Sequence, residues 1–158
     1  MNQMLNPNPY LMLSGELGFS AADLTANRLG VMTAKQREQV YTRRLQAMKL
    51  PAVVLVLVIF GGLLFEAEWL MIVFGAACMI SILVAIWVRF AQDLDSPVEA
   101  IAGQWTPYRS TFGRSALHMG GLMFHLPQAA HQAFNERARY RLYFTPGTRT
   151  ILSAEIIN

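Results

Sequence analysis

Two apolar runs, Leu50 to Phe65 and Trp69 to Val88, follow one another with only Glu66-Ala67-Glu68 between them. The second run has 20 residues, and only Ser81 and the thiol of Cys78 fall outside the apolar, aromatic and glycine set. As a helix it rises about 30 Å, the thickness of a bilayer's hydrocarbon core. The first run, at 16 residues, is short of the usual span of about 17–25. Ala47 and Met48 close that deficit if Lys49 lifts its ammonium group toward the interface. The pair therefore predicts a membrane-spanning helical hairpin. Trp69 and Trp87 bracket the second run, where indoles prefer the interface. Gly61-Gly62 on one run and Gly75, Ala76 and Ala77 on the other supply the small faces that membrane helices pack through.

At 54% hydrophobic residues, the chain exceeds the roughly 45–50% of soluble proteins. The excess is local, because residues 50–88 carry only Glu66 and Glu68 as charges. Outside them, neither flank is long enough to bury a large core, since lone domains become marginal at roughly 40–60 residues. Each flank is expected to lean on the other, on the bilayer or on a partner.

Charge is segregated. Residues 1–49 hold six basic and three acidic side chains, residues 50–96 one and four, and residues 97–158 six and three. Lys35, Arg37, Arg43, Arg44 and Lys49 crowd the entrance of the first span, whereas the connecting turn has no basic residue. Positive charge marks the cytoplasmic ends of spans, so both termini are expected in the cytoplasm and the Glu66–Glu68 turn outside. Met1 to Ser20 lacks a basic stretch followed by an apolar one, unlike a secretory signal. The lone Cys78 permits no disulfide within the chain and reads as a small apolar group.

Along the chain, residues 1–19 read as a loosely held tail with a short apolar patch, docking as a strand or lying on the membrane. Ser20 with Asp23 gives a helix entrance and Gly30 its exit; Thr33 with Gln36 repeats the entrance. Residues 21–48 then form a short helical pair. Pro51 either opens a new helix or kinks a continuous one. Residues 89–96 read as a polar linker, ending in Ser96-Pro97. Beyond it, Val98 to Trp105 is a strand, Thr106 to Ala116 turn-like, and Leu117 to Leu126 one strand bent or bulged at Gly120-Gly121. Pro127 opens a short helix to about Glu136. Tyr140, Leu142 and Phe144 alternate with Arg139, Arg141 and Tyr143, and a Thr145-Pro146-Gly147-Thr148 turn leads into a strand over Thr150 to Ile157. The expected fold is an α+β membrane protein. A two-helix transmembrane hairpin (50–88, spans 50–65 and 69–88) follows the N-terminal tail and helical pair (1–49). After the linker (89–96) comes a small antiparallel β domain (97–158), a sheet or partly open barrel of four or five strands with one helix.

Chemistry is sparse. His118, His125 and His131 are the only histidines. Three histidines can build an open zinc site. Positions 118 and 125, however, face opposite sides of one regular strand. Arg137, Arg139, Arg141 and Tyr143 form a basic face at the last hairpin, suited to lipid headgroups or a partner. It lacks the exposed aromatics that single-stranded nucleic acid requires. Neither span carries a charge, so a proton relay within one chain is not expected. Phosphate loops, nucleophile elbows and HExxH are absent from the sequence, and it predicts no catalytic residue, metal or cofactor. The expectation is a non-enzymatic membrane-anchored adaptor or accessory subunit that presents its cytoplasmic domain to a protein partner, a second copy or the lipid surface. In outline this resembles small two-span proteins of bacterial inner (plasma) membranes. The alternatives are a metal-dependent membrane enzyme using the histidine region, and a subunit of a homo-oligomeric channel or transporter.

Overall fold

The structure, a computed structural model, describes residues 9–65, 68–109, 115–126, 128–135 and 138–157. Its elements in chain order are α1 (Pro9–Leu17), α2 (Ala21–Arg28), α3 (Ala34–Leu64), α4 (Trp69–Asp95), β1 (Glu99–Gly103), β2 (Thr106–Arg109), β3 (Ser115–Met119), β4 (Leu122–His125), α5 (Gln128–Ala133), β5 (Arg139–Phe144) and β6 (Ile151–Ile157). They divide into two compact units. Described residues up to Gln36 join those from Ser96 onward, and Arg37 to Asp95 form the other.

In the first unit the helix signals act as their chemistry requires. Ser20 Oγ accepts from the Asp23 backbone N–H at 3.2 Å, and the Asp23 carboxylate accepts from the Ser20 N–H at 2.8 Å, a reciprocal capping box. Thr33 and Gln36 repeat it at the start of α3, at 3.3 and 3.2 Å. Gly30, at φ +75°, takes the left-handed conformation that lets the chain leave α2. Helix α2 does not pair with α3 as a separate helical hairpin, because it packs on β6. The N-terminal tail also departs from expectation. Residues 9–17 are helical, Leu13 is fully buried, and α1 packs on β6 and α5. The two flanks thus complete one core together, which neither could build alone.

Among the described residues six strands form two three-stranded antiparallel sheets, ordered β1-β5-β6 and β2-β3-β4, rather than one sheet or barrel of four or five. The single bent strand expected at 117–126 is a hairpin. Met119 pairs with Leu122, and Gly120 and Gly121, at φ +55° and +81°, form a two-residue turn. That turn sits so close to β1 that a Cβ on Gly120 would fall 2.4 Å from Ile101 Cδ1. Part of the segment expected to be turn-like is strand β2, paired with β3; residues 110–114 lie outside the described set. One face of β5, bearing Tyr140, Leu142 and Phe144, is buried with Leu117, Met119 and Phe124 of the other sheet. Phe124 meets Phe144 edge-on at 5.0 Å, and Phe134 meets Tyr140 at 4.9 Å and Trp105 at 5.9 Å.

The second unit is an antiparallel helical pair. Helix α3 runs unbroken through Pro51, which accepts the loss of one helical hydrogen bond. Helix α4 runs on to Asp95, past the expected boundary at Val88. Arg89 to Leu94 contain no helix breaker, and the stop comes where Pro97 disfavours helical geometry in Ser96. The helices meet from tip to base. A Cβ on Gly62 would lie 2.5 Å from Ile72 Cγ1, and one on Gly75 3.0 Å from Val58 Cγ1. Farther down, Arg44 lies over Trp87, and Arg37 Nη2 donates to the Leu94 carbonyl at 3.2 Å. Of the small residues singled out in the sequence, Gly62 and Gly75 face the partner helix, whereas a Cβ on Gly61 would meet open space and Ala77 is exposed.

Candidate functional site

The largest polar cluster among the described residues lies on the second face of the β1-β5-β6 sheet, under α2. In the ladder Arg141 pairs with Glu155 and Tyr143 with Ser153, so all four side chains share this face. Glu155 is 8% exposed. Its Oε1 accepts the Tyr143 hydroxyl at 2.7 Å and Arg141 Nη1 at 3.4 Å, while its Oε2 is paired with the Arg28 guanidinium. Asn27 Nδ2 donates to Ser153 Oγ at 2.7 Å, and Gln36 Nε2 to the Leu152 carbonyl at 3.3 Å.

Burial pushes the Glu155 carboxyl up, but Arg28, Tyr143 and Arg141 more than offset it and hold the group below its usual range. Burial also raises the Tyr143 hydroxyl, and the carboxylate it serves raises it further. At neutral pH the carboxylate is ionised and the phenol protonated, each committed to the other. The arrangement joins α2 and the sheet by charge-assisted bonds. It offers no poised acid or base, because proton transfer needs a group whose affinity lies near the working pH.

The structure places the basic face named from the sequence as follows. Arg139 is exposed, Arg141 is half-exposed and tied to Glu155, and Tyr143 is 3% exposed and lies beneath the surface. Arg137 lies outside the described residues. His118 and His125 are both exposed. The Gly120-Gly121 turn puts them on one face, since His118 pairs with Met123 and His125 stands two residues beyond it. His131 is on α5, and its side chain is outside the described set. Among the described residues no three His, Cys, Asp or Glu side chains gather.

Sequence reasoning missed Arg28, Asn27, Ser153 and Glu155 as a group. The available signal was a single carboxylate, Glu155, inside the mostly apolar strand Ile151 to Ile157, which a sheet accepts only with a partner. Comparison of the chain with protein-family models, with curated proteins and with solved structures returns no match. Function is therefore argued from the residues alone.

Proposed function

We propose that this is a two-span integral membrane protein whose α3–α4 hairpin anchors the α/β unit at the cytoplasmic surface, where it acts as a non-enzymatic adaptor or accessory subunit. One observation carries the reading. Both helices are long and apolar enough to cross a bilayer, and none of either apolar stretch is buried within the protein. Core helices of a soluble protein would hide these side chains. Here Leu57, Phe60, Leu63, Phe74 and Ile80 stand outward, and only the seam between the helices is half-covered. Water would make such a surface very costly, at roughly 25 cal/mol per Å²; lipid removes that cost.

The basic residues at the base of the hairpin support cytoplasmic termini. The use of Glu155 and Tyr143 in holding α2 to the sheet supports a presenting rather than a catalytic role. Its partner is a membrane protein or a second copy, met through the surface that includes Arg139 and Arg141. Carbonate washing of membranes and protease protection on sealed vesicles test the anchor and its orientation. The adaptor role predicts a partner of fixed stoichiometry, or a homo-oligomer, after detergent extraction. A carbonate-soluble, detergent-independent monomer would refute both.

A further inference from the structure

We infer that Arg44 and Trp87, at the base of the helical hairpin, form a binding site for the phosphate group of an anionic membrane lipid. The inference rests on the membrane reading above. Arg44 is 5% exposed, and its Cζ lies 3.1 Å from the centre of the Trp87 ring. The ring takes one face of the guanidinium through a cation–π contact. Such a contact leaves the N–H groups, which lie in the plane of the cation, to be satisfied elsewhere. Arg44 Nε and Nη2 are buried and have no hydrogen-bond partner among the described residues. These two atoms form the side-on fork of the guanidinium, the edge that grips two oxygens of a phosphate at once.

A buried, unsatisfied cationic fork is costly for a fold to keep. An anionic oxygen pair would relieve that cost, and the location specifies which. Trp87 closes the apolar run of α4, and Arg44 stands five residues before Lys49, where the apolar run of α3 begins. Both therefore fall where the hydrocarbon core gives way to headgroups. Exposed Arg43, Lys49 and Arg89 surround the level with positive charge. The nearest carboxylates along the two helices, Glu38 and Asp93, stand six residues from Arg44 and Trp87, about 9 Å along the axis. The fork is covered in this structure, so lipid binding requires the covering side chains to give way while Arg44 stays on the Trp87 ring. The exposed arginines act as a diffuse attraction; Arg44 supplies the directional grip.

The test uses the full chain, purified in detergent and stripped of lipid, with native mass spectrometry and thermal melting as readouts. Phosphatidylglycerol, phosphatidylcholine and inorganic phosphate are added separately. The expected result is one retained phosphatidylglycerol, several-fold preferred over phosphatidylcholine, with a raised melting temperature. Arg44→Gln is expected to weaken that binding tenfold or more. Arg43→Gln, which removes an exposed neighbouring charge, changes it less than twofold. Arg44→Lys keeps the charge and loses the fork, so it falls between, and it decides the matter should the glutamine variant not fold. Unchanged phosphatidylglycerol binding in the Arg44 variants overturns the site, as does an equal loss in Arg43→Gln. Equal, Arg44-dependent protection by inorganic phosphate overturns its assignment to lipid. A chain that is membrane-integral but fails these arms leaves the anchor reading standing; loss of membrane integration itself is read separately by carbonate washing.

Discussion

The two units treat the same kind of side chain in opposite ways. The sheet unit turns Phe124, Tyr140, Leu142 and Phe144 inward and shows Arg139 and Arg141 on the alternate positions. The helical unit turns Leu57, Phe60, Phe74 and Ile80 outward and keeps for its seam small or modest residues such as Gly62, Ile72, Gly75 and Met79. Burial of apolar side chains is thus the organising force in the sheet unit, whereas the helical unit leaves most of its apolar side chains exposed. The difference means that exposure carries opposite weights in the two units. In the sheet unit an exposed position is tolerant; in the hairpin, on the membrane reading proposed above, it is constrained by lipid.

The sharpest way to break this comparison is to place charge on the outer face of the hairpin. Leu57→Lys combined with Ile80→Lys puts two ammonium groups near the middle of the spans, each costing about 2.5–3.5 kcal/mol for membrane insertion. Both positions are exposed, so a water-soluble helical pair would scarcely respond. The expected outcome is loss of the chain from carbonate-washed membranes. Tyr108→Lys, also at an exposed position but in β2, is expected to shift stability by no more than about 0.5 kcal/mol. Next in size is Leu142→Ala, which empties a fully buried site and is expected to cost roughly 2–5 kcal/mol. Chemical denaturation in mild detergent, followed by the fluorescence of buried Trp105, reads that loss. Leu57→Ala in the same assay is expected to be nearly silent.

A smaller effect separates two adjacent glycines. Gly62→Val must push against Ile72, within 2.5 Å of where its Cβ would stand, and overpacking of this kind costs about 1–3 kcal/mol. Gly61→Val faces open space and should leave the melting temperature unchanged or slightly raised. Equal effects at the two positions would mean that the helices do not meet along this seam.

How far these features were legible in the sequence follows the same division. The two long apolar helices were plain because their signal is local: two runs of apolar residues and a break between them. The capping boxes at Ser20 and Thr33 were plain for the same reason, since donor and acceptor lie three residues apart. The sheets were harder. Gly120-Gly121 fits a bulge or a two-residue turn equally well until its pairing partner is known, and that choice moves His125 to the same face as His118. Helix α1 was missed because its anchor is Leu13 packed among distant elements, although Gly18, at φ +72°, marks its C-terminal end. The Glu155 cluster draws on residues more than a hundred positions apart, and Tyr143 looked like a surface residue because α2, which covers it, comes from the other flank.

That cluster supplies the most delicate contrast, because there the sheet unit buries charge. The folded Glu155 carboxyl is held below the ordinary glutamate value of about 4.3. A carboxyl depressed by folding contributes stability that is fully present above the unfolded value and is lost as pH falls through the folded one. The sheet unit is therefore expected to melt lower as pH drops below about 4.3, with the decline reduced in Glu155→Gln. Asp23, held below its usual range by Thr33, Ser20 and Lys35 against the opposing pull of burial, adds a parallel acid loss that remains in that variant. Tyr143→Phe removes one bond to the carboxylate while leaving Arg28 in place, and about 1–2 kcal/mol at neutral pH is the expected cost. The apolar runs of the hairpin carry no ionised group between Leu50 and Phe65 or between Trp69 and Val88. If Glu155→Gln left the acid profile of the sheet unit unaltered, the α2–sheet junction would owe its stability to Asn27, Gln36 and apolar packing, and the charged cluster would be a surface ornament of the fold rather than the clasp that holds the two flanks together.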